Sequence, residues 1–338
     1  MASRDHTSQL TDVPAGRGPW RVGVISNPLS GRNRRGGLDG IRRLLQNHPD
    51  ISHREVHTPG EAREALDAFA AENVNLVAVN SGDGTIQAVL TLLFTGNGFR
   101  SMPRLALLRG GTTNMTHQDL GLPGSGVDAL SRLLNWLHHG EGEALIRRRS
   151  ILMVQTAACA HPLYGLFFGA ACIYKGIQFF HSRIRRWGWS GDPAHLLILG
   201  RFLWALAQRQ DALVAPARIA LCADPCGTVS QDVLLLLITT LDRLILGLRP
   251  FWGPGDGPLR LTVVGARPRG LLRALPSLVC GRGGSWTAPA NGYLSCRARD
   301  IRLEMKGGFA LDGELFATGP GSSSVHIQDG GGADFLRL

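Results

Sequence analysis

The chain has 338 residues, 44% of them apolar and 18% charged, with a formal net charge of +10. Those proportions exclude an intrinsically disordered chain, and the length accommodates two domains with cores of their own. The charge admits nucleic acid, an anionic membrane or a phosphorylated substrate as partner. Lys175 and Lys306 are the sole lysines, so the positive charge is nearly all arginine. That bias reflects either the source genome's composition or a need for bidentate phosphate contacts.

The first twenty residues are polar, mix both charge signs and lack the apolar segment of a signal peptide, so they read as a disordered lead-in. Val22–Ser26 predicts a short β-branched strand, followed by a Gly- and Arg-rich loop and a helix over Leu38–Gln46. Ala62, Ala65, Leu66 and Phe69 share one face of a helix over Glu61–Glu72. Leu76–Val79 is a strand of the buried type that runs into a turn at Ser81–Thr85. Helix resumes at Ile86–Phe94, strand at Leu105–Leu108 and helix at Val127–Leu137. This alternation predicts an α/β domain over residues 21–145, its parallel sheet covered on both faces.

Near Arg147 the pattern changes. Apolar strands recur between Gly/Pro turns at Ser150–Thr156, Ala217–Cys222, Val233–Thr239, Leu259–Val264, Ile301–Met305 and Gly313–Thr318. They predict a β-rich, antiparallel sandwich domain over residues 146–325, with helical stretches at Cys172–Arg186 and Ala194–Gln208. Residues 326–338 form a C-terminal segment free to return to the first domain. The most apolar runs, Leu196–Ala207 and Val233–Leu248, are broken by Arg201 and by Asp242-Arg243. A charge at the bilayer centre costs about 3 kcal/mol on insertion scales, so neither run is expected to span, and the protein reads as soluble or peripheral.

The six cysteines show one close pair, Cys222 and Cys226, and no second pair or His cluster that would complete a zinc site. They are expected to be reduced, mostly buried thiols.

Chemistry concentrates in three loops that follow strands. In Ser81-Gly82-Asp83-Gly84-Thr85, the two glycines let backbone N–H groups converge on phosphate oxygens, and Thr85 opens the next helix. Asp83 would repel phosphate by itself, which points to a Mg²⁺ bridge or a proton acceptor. An ordinary strand–helix turn would also carry Asp-Gly. Asn27-Pro28-Leu29-Ser30-Gly31 and Arg109-Gly110-Gly111-Thr112-Thr113-Asn114 follow two other strands. In a parallel sheet all three loops line one crevice at the carboxyl ends of the strands. No Walker A lysine and no protein-kinase motif set is present.

These residues resemble the diacylglycerol kinase catalytic family, which includes bacterial lipid kinases, sphingosine kinases and ceramide kinases. The resemblance lies in Asn27-Pro28 with Gly31, in Gly82–Thr85, and in Gly111-Thr112 with Asn114. It spans about Val22 to Phe316. Ser81 stands where bacterial members usually have Gly, as it does in sphingosine kinases. Met115-Thr116 stands where the family usually places Asp-Phe, which removes an acidic group from that position. Late in the chain, Leu311-Asp312-Gly313-Glu314 resembles the family's Asp-Gly-Glu motif. The resemblance implies that Asp312 accepts the proton of a lipid hydroxyl and that Glu314 supports metal or orientation. Asp-Gly between two apolar runs is equally the signal of a hairpin, and both readings can hold. Thr58 resembles a family threonine that touches the nucleotide, or is simply a helix cap. Asp256 resembles an acidic residue that binds a structural Mg²⁺, or is a turn aspartate.

The resemblance implies an ATP- and Mg²⁺-dependent kinase whose acceptor is a lipid hydroxyl, diacylglycerol-like or sphingoid. It implies a cytoplasmic protein that associates peripherally with the anionic inner face of the membrane. A homodimer is left open, and nucleic acid is not expected as a partner, since no reading module is present. A mixed aromatic and arginine segment, Phe179–Trp189, reads as an interfacial patch or as a basic helix end. The rival readings are a soluble kinase sharing the Gly-Asp-Gly-Thr loop, such as one acting on NAD, and an inactive lipid-binding protein of the same fold.

Overall fold

In a computed structural model, residues 13–15, 19–96, 98–140, 142–179, 216–319 and 324–338 are described. After a two-residue strand β1 (Val13–Pro14) come β2 (Val22–Ser26), α1 (Gly37–Gln46), β3 (Ser52–Glu55), α2 (Pro59–Ala71), β4 (Leu76–Ser81), α3 (Asp83–Thr95), β5 (Arg104–Arg109), α4 (Met115–Leu120) and α5 (Gly126–His139). Strands β3, β2, β4 and β5 lie side by side in that order, all parallel. Every residue of β2 and β4 is buried, because helices cover both faces of the sheet. One face packs on Ala65, Leu66 and Phe69 of α2 and Val89, Leu90 and Leu93 of α3. The other packs on Ile41 of α1 and Leu130, Leu133 and Leu134 of α5.

The rest is antiparallel: β6 (Leu145–Thr156), β7 (Leu163–Gly165), β8 (Phe167–Ala171), α6 (Cys172–Phe179), β9 (Ala217–Ala223), β10 (Gly227–Thr239), β11 (Leu259–Gly265), α7 (Leu271–Cys280), β12 (Tyr293–Ala298), β13 (Asp300–Met305), β14 (Gly308–Leu311), β15 (Glu314–Ala317) and β16 (Ser324–Arg337). A shared apolar interior, with Leu152, Phe168, Leu236, Leu261, Leu303, Phe309 and Ile327, joins the strands of this half. The observed class is therefore a parallel α/β half followed by an antiparallel β-rich half.

The halves are stitched together by β16. It pairs antiparallel with β6 from Val325↔Thr156 to Arg337↔Leu145, with an irregularity between Asp329 and Gly332. At Phe335 it also lies parallel to Leu105 of β5. The hydrogen-bonded ladder thus runs from one half into the other.

Several elements differ from expectation. Ser81 ends β4, Gly82 caps, and Asp83, Gly84 and Thr85 already belong to α3. The strand β3 has no apolar alternation, Ser-His-Arg-Glu, and exists because its backbone pairs with β2 at the sheet edge. The thiol expectation is corrected: Cys226 and Cys296 form a disulfide with Cα atoms 6.1 Å apart. They are 70 residues apart in sequence, so only the docking of the β9–β10 turn near β12 brings them together. Of the remaining thiols, Cys172 is buried, while Cys222 and Cys280 are exposed. The helix expected over Cys172–Arg186 is described as far as Phe179; the rest of it, Ala194–Gln208 and most of the Phe179–Trp189 segment lie outside the described residues. So does most of the 1–20 lead-in. Among the described residues, no helix is long and apolar enough to cross a membrane.

Candidate active site

The three glycine-bearing loops meet at the carboxyl ends of β2, β4 and β5. Asn27 donates from Nδ2 to Thr85 Oγ1 at 2.8 Å, tying the first loop to the first turn of α3. The Gly82 amide donates to Ser30 Oγ at 3.2 Å, and the Arg32 amide to Gly110 O at 3.0 Å. Gly31 lies against Thr112, where any side chain would overlap the threonine hydroxyl. Buried Asn33 donates to the carbonyls of Asn27 and Asn80, both at 2.9 Å, which fixes the first loop on the second. Neither Ser30 nor Asn33 was singled out from sequence as a site residue. An unpaired Asn in an Arg-rich loop gives little local sign of its partners.

The third loop closes on itself. Asn114 accepts from the Gly111 amide and donates to the Gly111 carbonyl, both at 2.8 Å, in the left-handed conformation at φ 50°. A Cβ on Gly111 would meet the Cα of Gly82, so two backbones pass where no side chain fits. That cradle sits beside the start of α3, whose first-turn amides have no carbonyl partner within the helix. Gly111→Ala is expected to push the Gly82 loop away and weaken nucleotide binding by about tenfold or more. Titration calorimetry with a non-hydrolysable ATP analogue checks it; unchanged affinity in a normally folded variant would show that the close approach is dispensable.

Asp83 sits at the start of α3 and is buried. Its Oδ2 accepts from the Met115 amide at 3.0 Å and its Oδ1 from the Thr116 amide at 2.9 Å. The carboxylate therefore caps the N-terminus of α4. The two donors are backbone N–H groups, so these bonds form with Met115-Thr116 at this position. Burial pushes the Asp83 carboxyl above its ordinary pKa, against the opposing pull of those amides.

Asp312 lies far along the chain but reaches the same place. It and Gly313 are the central residues of the β14–β15 hairpin, with φ 48° and 88° and register Leu311↔Glu314. Two positive φ values make this a type I′ turn, so the hairpin reading holds. The Asp312 carboxylate is fully buried and accepts from the amides of Leu166 and Phe167, each at 2.9 Å. Its own amide donates to Phe167 O at 2.8 Å. Burial pushes its carboxyl well above the ordinary range, and the nearby charge of Asp83 adds to the rise. On the other side of the turn, the Glu314 carboxylate lies where a side chain on Gly84 would have to go. The late Asp-Gly-Glu turn thus packs on the first turn of α3.

The weaker expectations fare as follows. Thr58 caps α2, its hydroxyl accepting from the Glu61 amide at 3.2 Å, and is exposed. Asp256 is an exposed loop residue before β11. Among the described residues, the one His/Cys/Asp/Glu group close enough to hold a metal is His48, Asp50 and His138, at the ends of α1 and α5. Neither Asp83 nor Asp256 belongs to it.

Residues 21–140 match the family model of the diacylglycerol kinase catalytic domain. No curated protein matches the chain. A crystal structure of a diacylglycerol kinase from Bacillus anthracis str. Sterne aligns over 94% of this chain and 96% of its own, at 17% identity and TM-score 0.58. A second structure from the same organism aligns over the same shares at 18% identity and TM-score 0.61. An NAD kinase from Archaeoglobus fulgidus in complex with ATP aligns over 93% of this chain and 92% of its own at 13% identity and TM-score 0.44, too distant to argue from. The diacylglycerol kinase match covers the parallel half with all three glycine loops, and the fold likeness extends through the antiparallel half. The chain has the fold of a phosphotransferase of this kind.

Proposed function

We propose that this chain transfers the γ-phosphate of ATP to the hydroxyl of a lipid, diacylglycerol-like or sphingoid, at the crevice between its two halves. The observation that carries the proposal is the Asp312-Gly313-Glu314 turn seated on the first turn of α3. It puts an acidic hairpin from the β-rich half against the glycine loops of the kinase-family half.

The residues present suit ATP with Mg²⁺. The close packing of Gly82 on Gly111 holds the loops beside the first turn of α3, and two buried carboxylates, Asp83 and Asp312, lie close enough to repel. Mg²⁺ is commonly held by one or two carboxylates together with substrate phosphates, so no ready-made triad of protein ligands is required. When bound, Mg²⁺–ATP supplies the phosphoryl group and neutralises its charge. Gly84 and Thr85 in the first turn of α3 offer backbone donors to the phosphates. Ser81, whose hydroxyl donates to the Gly82 carbonyl, and Gly82, whose amide is held by Ser30, shape the turn beneath them, with Gly111, Thr112 and Asn114 shaping the opposite wall. Asp83 holds α4 in place and would help to hold the metal. Asp312 takes the proton of the acceptor hydroxyl, its raised pKa making it a stronger base than a solvated carboxylate. Glu314, over Gly84, limits how the acceptor enters. The exposed positions of Thr58 and Asp256 make them secondary to this reading.

In this reading the protein works at the inner face of the membrane, where its acceptor resides. Incubation with ATP and Mg²⁺ and a panel of dispersed diacylglycerol, monoacylglycerol, sphingosine and ceramide should yield a phosphorylated lipid from at least one. Turnover of NAD with none of the lipids would replace the lipid acceptor by a soluble one. No turnover at all would leave an inactive protein of this fold.

A further inference from the structure

Between Asp256 and Asp300 the chain contains no acidic residue, yet it carries Arg260, Arg267, Arg269, Arg273, Arg282, Arg297 and Arg299. The middle of this stretch is α7. Its inner stripe, Leu271, Ala274 and Leu278, packs on Leu234, Val264 and Tyr293. A second apolar stripe on the same helix has no such cover among the described residues. Leu272 is 79% exposed and Val279, one heptad on, is 45% exposed. Trp286, in the loop that follows, is 40% exposed, and the Arg273 guanidinium lies 4.6 Å from its ring centroid. Gly270, at φ 62°, lets that indole lie against the start of the helix, where a side chain would overlap it. Arg267, Arg269 and Arg282 are also exposed around the patch.

Isolated surface apolar residues are ordinary, but this arrangement is not a scatter. One exposed Leu, one exposed Val and one exposed Trp lie on a stretch with several arginines and no carboxylate of its own; Asp232, whose carbonyl accepts from the Ala266 amide, brings an acidic group to the edge beside Arg267. Water is a poor solvent for the first group, and only an anionic partner suits the second. A short helix with apolar side chains on one stripe, arginine beside it and a tryptophan at its edge has the composition of an element that lies in a membrane interface. Arginine pairs with lipid phosphates, while the amphipathic indole settles at headgroup level. We propose that α7 together with Trp286 is the surface by which this protein docks on an anionic bilayer. The surface lies outside the Phe179–Trp189 segment and outside the glycine-loop crevice. The inference extends the lipid-kinase reading by naming where the protein meets its substrate's membrane, and its test is separable from that reading.

The experiment is co-sedimentation of the full chain with vesicles of phosphatidylcholine alone and with about one third phosphatidylglycerol. The wild type is expected to pellet with the anionic vesicles only, and less so as salt is raised. Leu272→Ser with Trp286→Ser, and separately Arg273→Gln with Arg282→Gln, should each lower partitioning by about tenfold or more. All four side chains are exposed, and unchanged circular dichroism melting confirms that the fold is kept. Wild-type protein that ignores anionic vesicles, or both pairs of variants binding like wild type, would overturn the proposal. Phosphorylation of a detergent-dispersed short-chain diacylglycerol is the separating measurement. Turnover there without vesicle binding removes the docking surface and keeps the kinase. Vesicle binding through α7 with no lipid phosphorylated keeps the surface and removes the kinase.

Discussion

Asp312→Asn is expected to lower kcat by about 10²–10⁴-fold while changing nucleotide affinity only slightly, because under the proposed function the side chain takes the acceptor's proton and the glycine loops hold the phosphates. Asparagine keeps the shape but only one acceptor oxygen, so one of the Leu166 and Phe167 amides, each now bonded to its own carboxylate oxygen, loses its acceptor, and the side chain cannot take a proton. Steady-state rates with the best lipid acceptor, paired with calorimetric titration of an ATP analogue, separate the two effects. An unaltered kcat in the purified variant would remove Asp312 from the base role. The pH profile offers a second reading of the same group. Burial first, and the Asp83 charge second, raise the Asp312 pKa well above the ordinary carboxylate range. The acid limb of kcat/KM should therefore lie above the value of about 4 typical of a solvated aspartate.

The same shift has a signed consequence for stability. A carboxyl whose folded pKa is raised binds its proton more tightly in the native state than in the unfolded chain. Its contribution is fully present below the unfolded value of about 4 and is lost as pH rises through the folded value. Asp83, also raised by burial, acts in the same direction. Thermal unfolding of the nucleotide-free protein should thus fall in temperature as pH rises from mildly acidic towards neutral. Asp312→Asn should flatten that slope.

The second large effect is expected at Arg149. This side chain is fully buried, and it spans the two halves of the molecule. Its Nη2 lies 3.2 Å from Asp119 Oδ2 on α4 and 2.6 Å from Asp242 Oδ2 beyond β10, and its Nη1 donates to Thr240 O at 3.1 Å. The Asp242 amide donates to Asp119 Oδ2 at 3.0 Å, and Arg260 pairs with Asp242 from the other side. Burial alone would raise Asp242, but the two arginines hold its carboxyl well below the ordinary range. Asp119 is raised, chiefly by burial, despite Arg149. Arg149→Ala would leave Asp119 in the interior without its cation, and should cost about 3–5 kcal/mol in denaturant unfolding. Adding Asp119→Asn should recover part of that loss, because it removes the orphaned charge. A cost below about 1 kcal/mol would show that water replaces the arginine freely. Activity should suffer with stability, since α4 carries Asp119 near its C-terminus and the amides that hold Asp83 at its N-terminus.

Much of this protein is local chemistry and was legible in its residues. Periodicity drew the parallel half, because a helix or strand buries a face that its own sequence must supply. The glycine loops were legible because close backbone approach, as of Gly111 to Gly82, needs glycine, and Asp312-Gly313 because a type I′ turn needs residues tolerant of positive φ. Other features were not local. The sequence points to Asp83 as a Mg²⁺ bridge or a proton acceptor, and the structure adds the amides of Met115 and Thr116 as its partners, which no side-chain pattern announces. The Cys226–Cys296 bond, the Arg149 brace and the exposed stripe of α7 depend on which distant strands pack together. Sequence alone determined the kinds of groups this chain can bring to phosphoryl transfer. Tertiary structure decided that the Asp312 turn sits on the first turn of α3, because only the docking of the β-rich half can bring a late hairpin to an early loop.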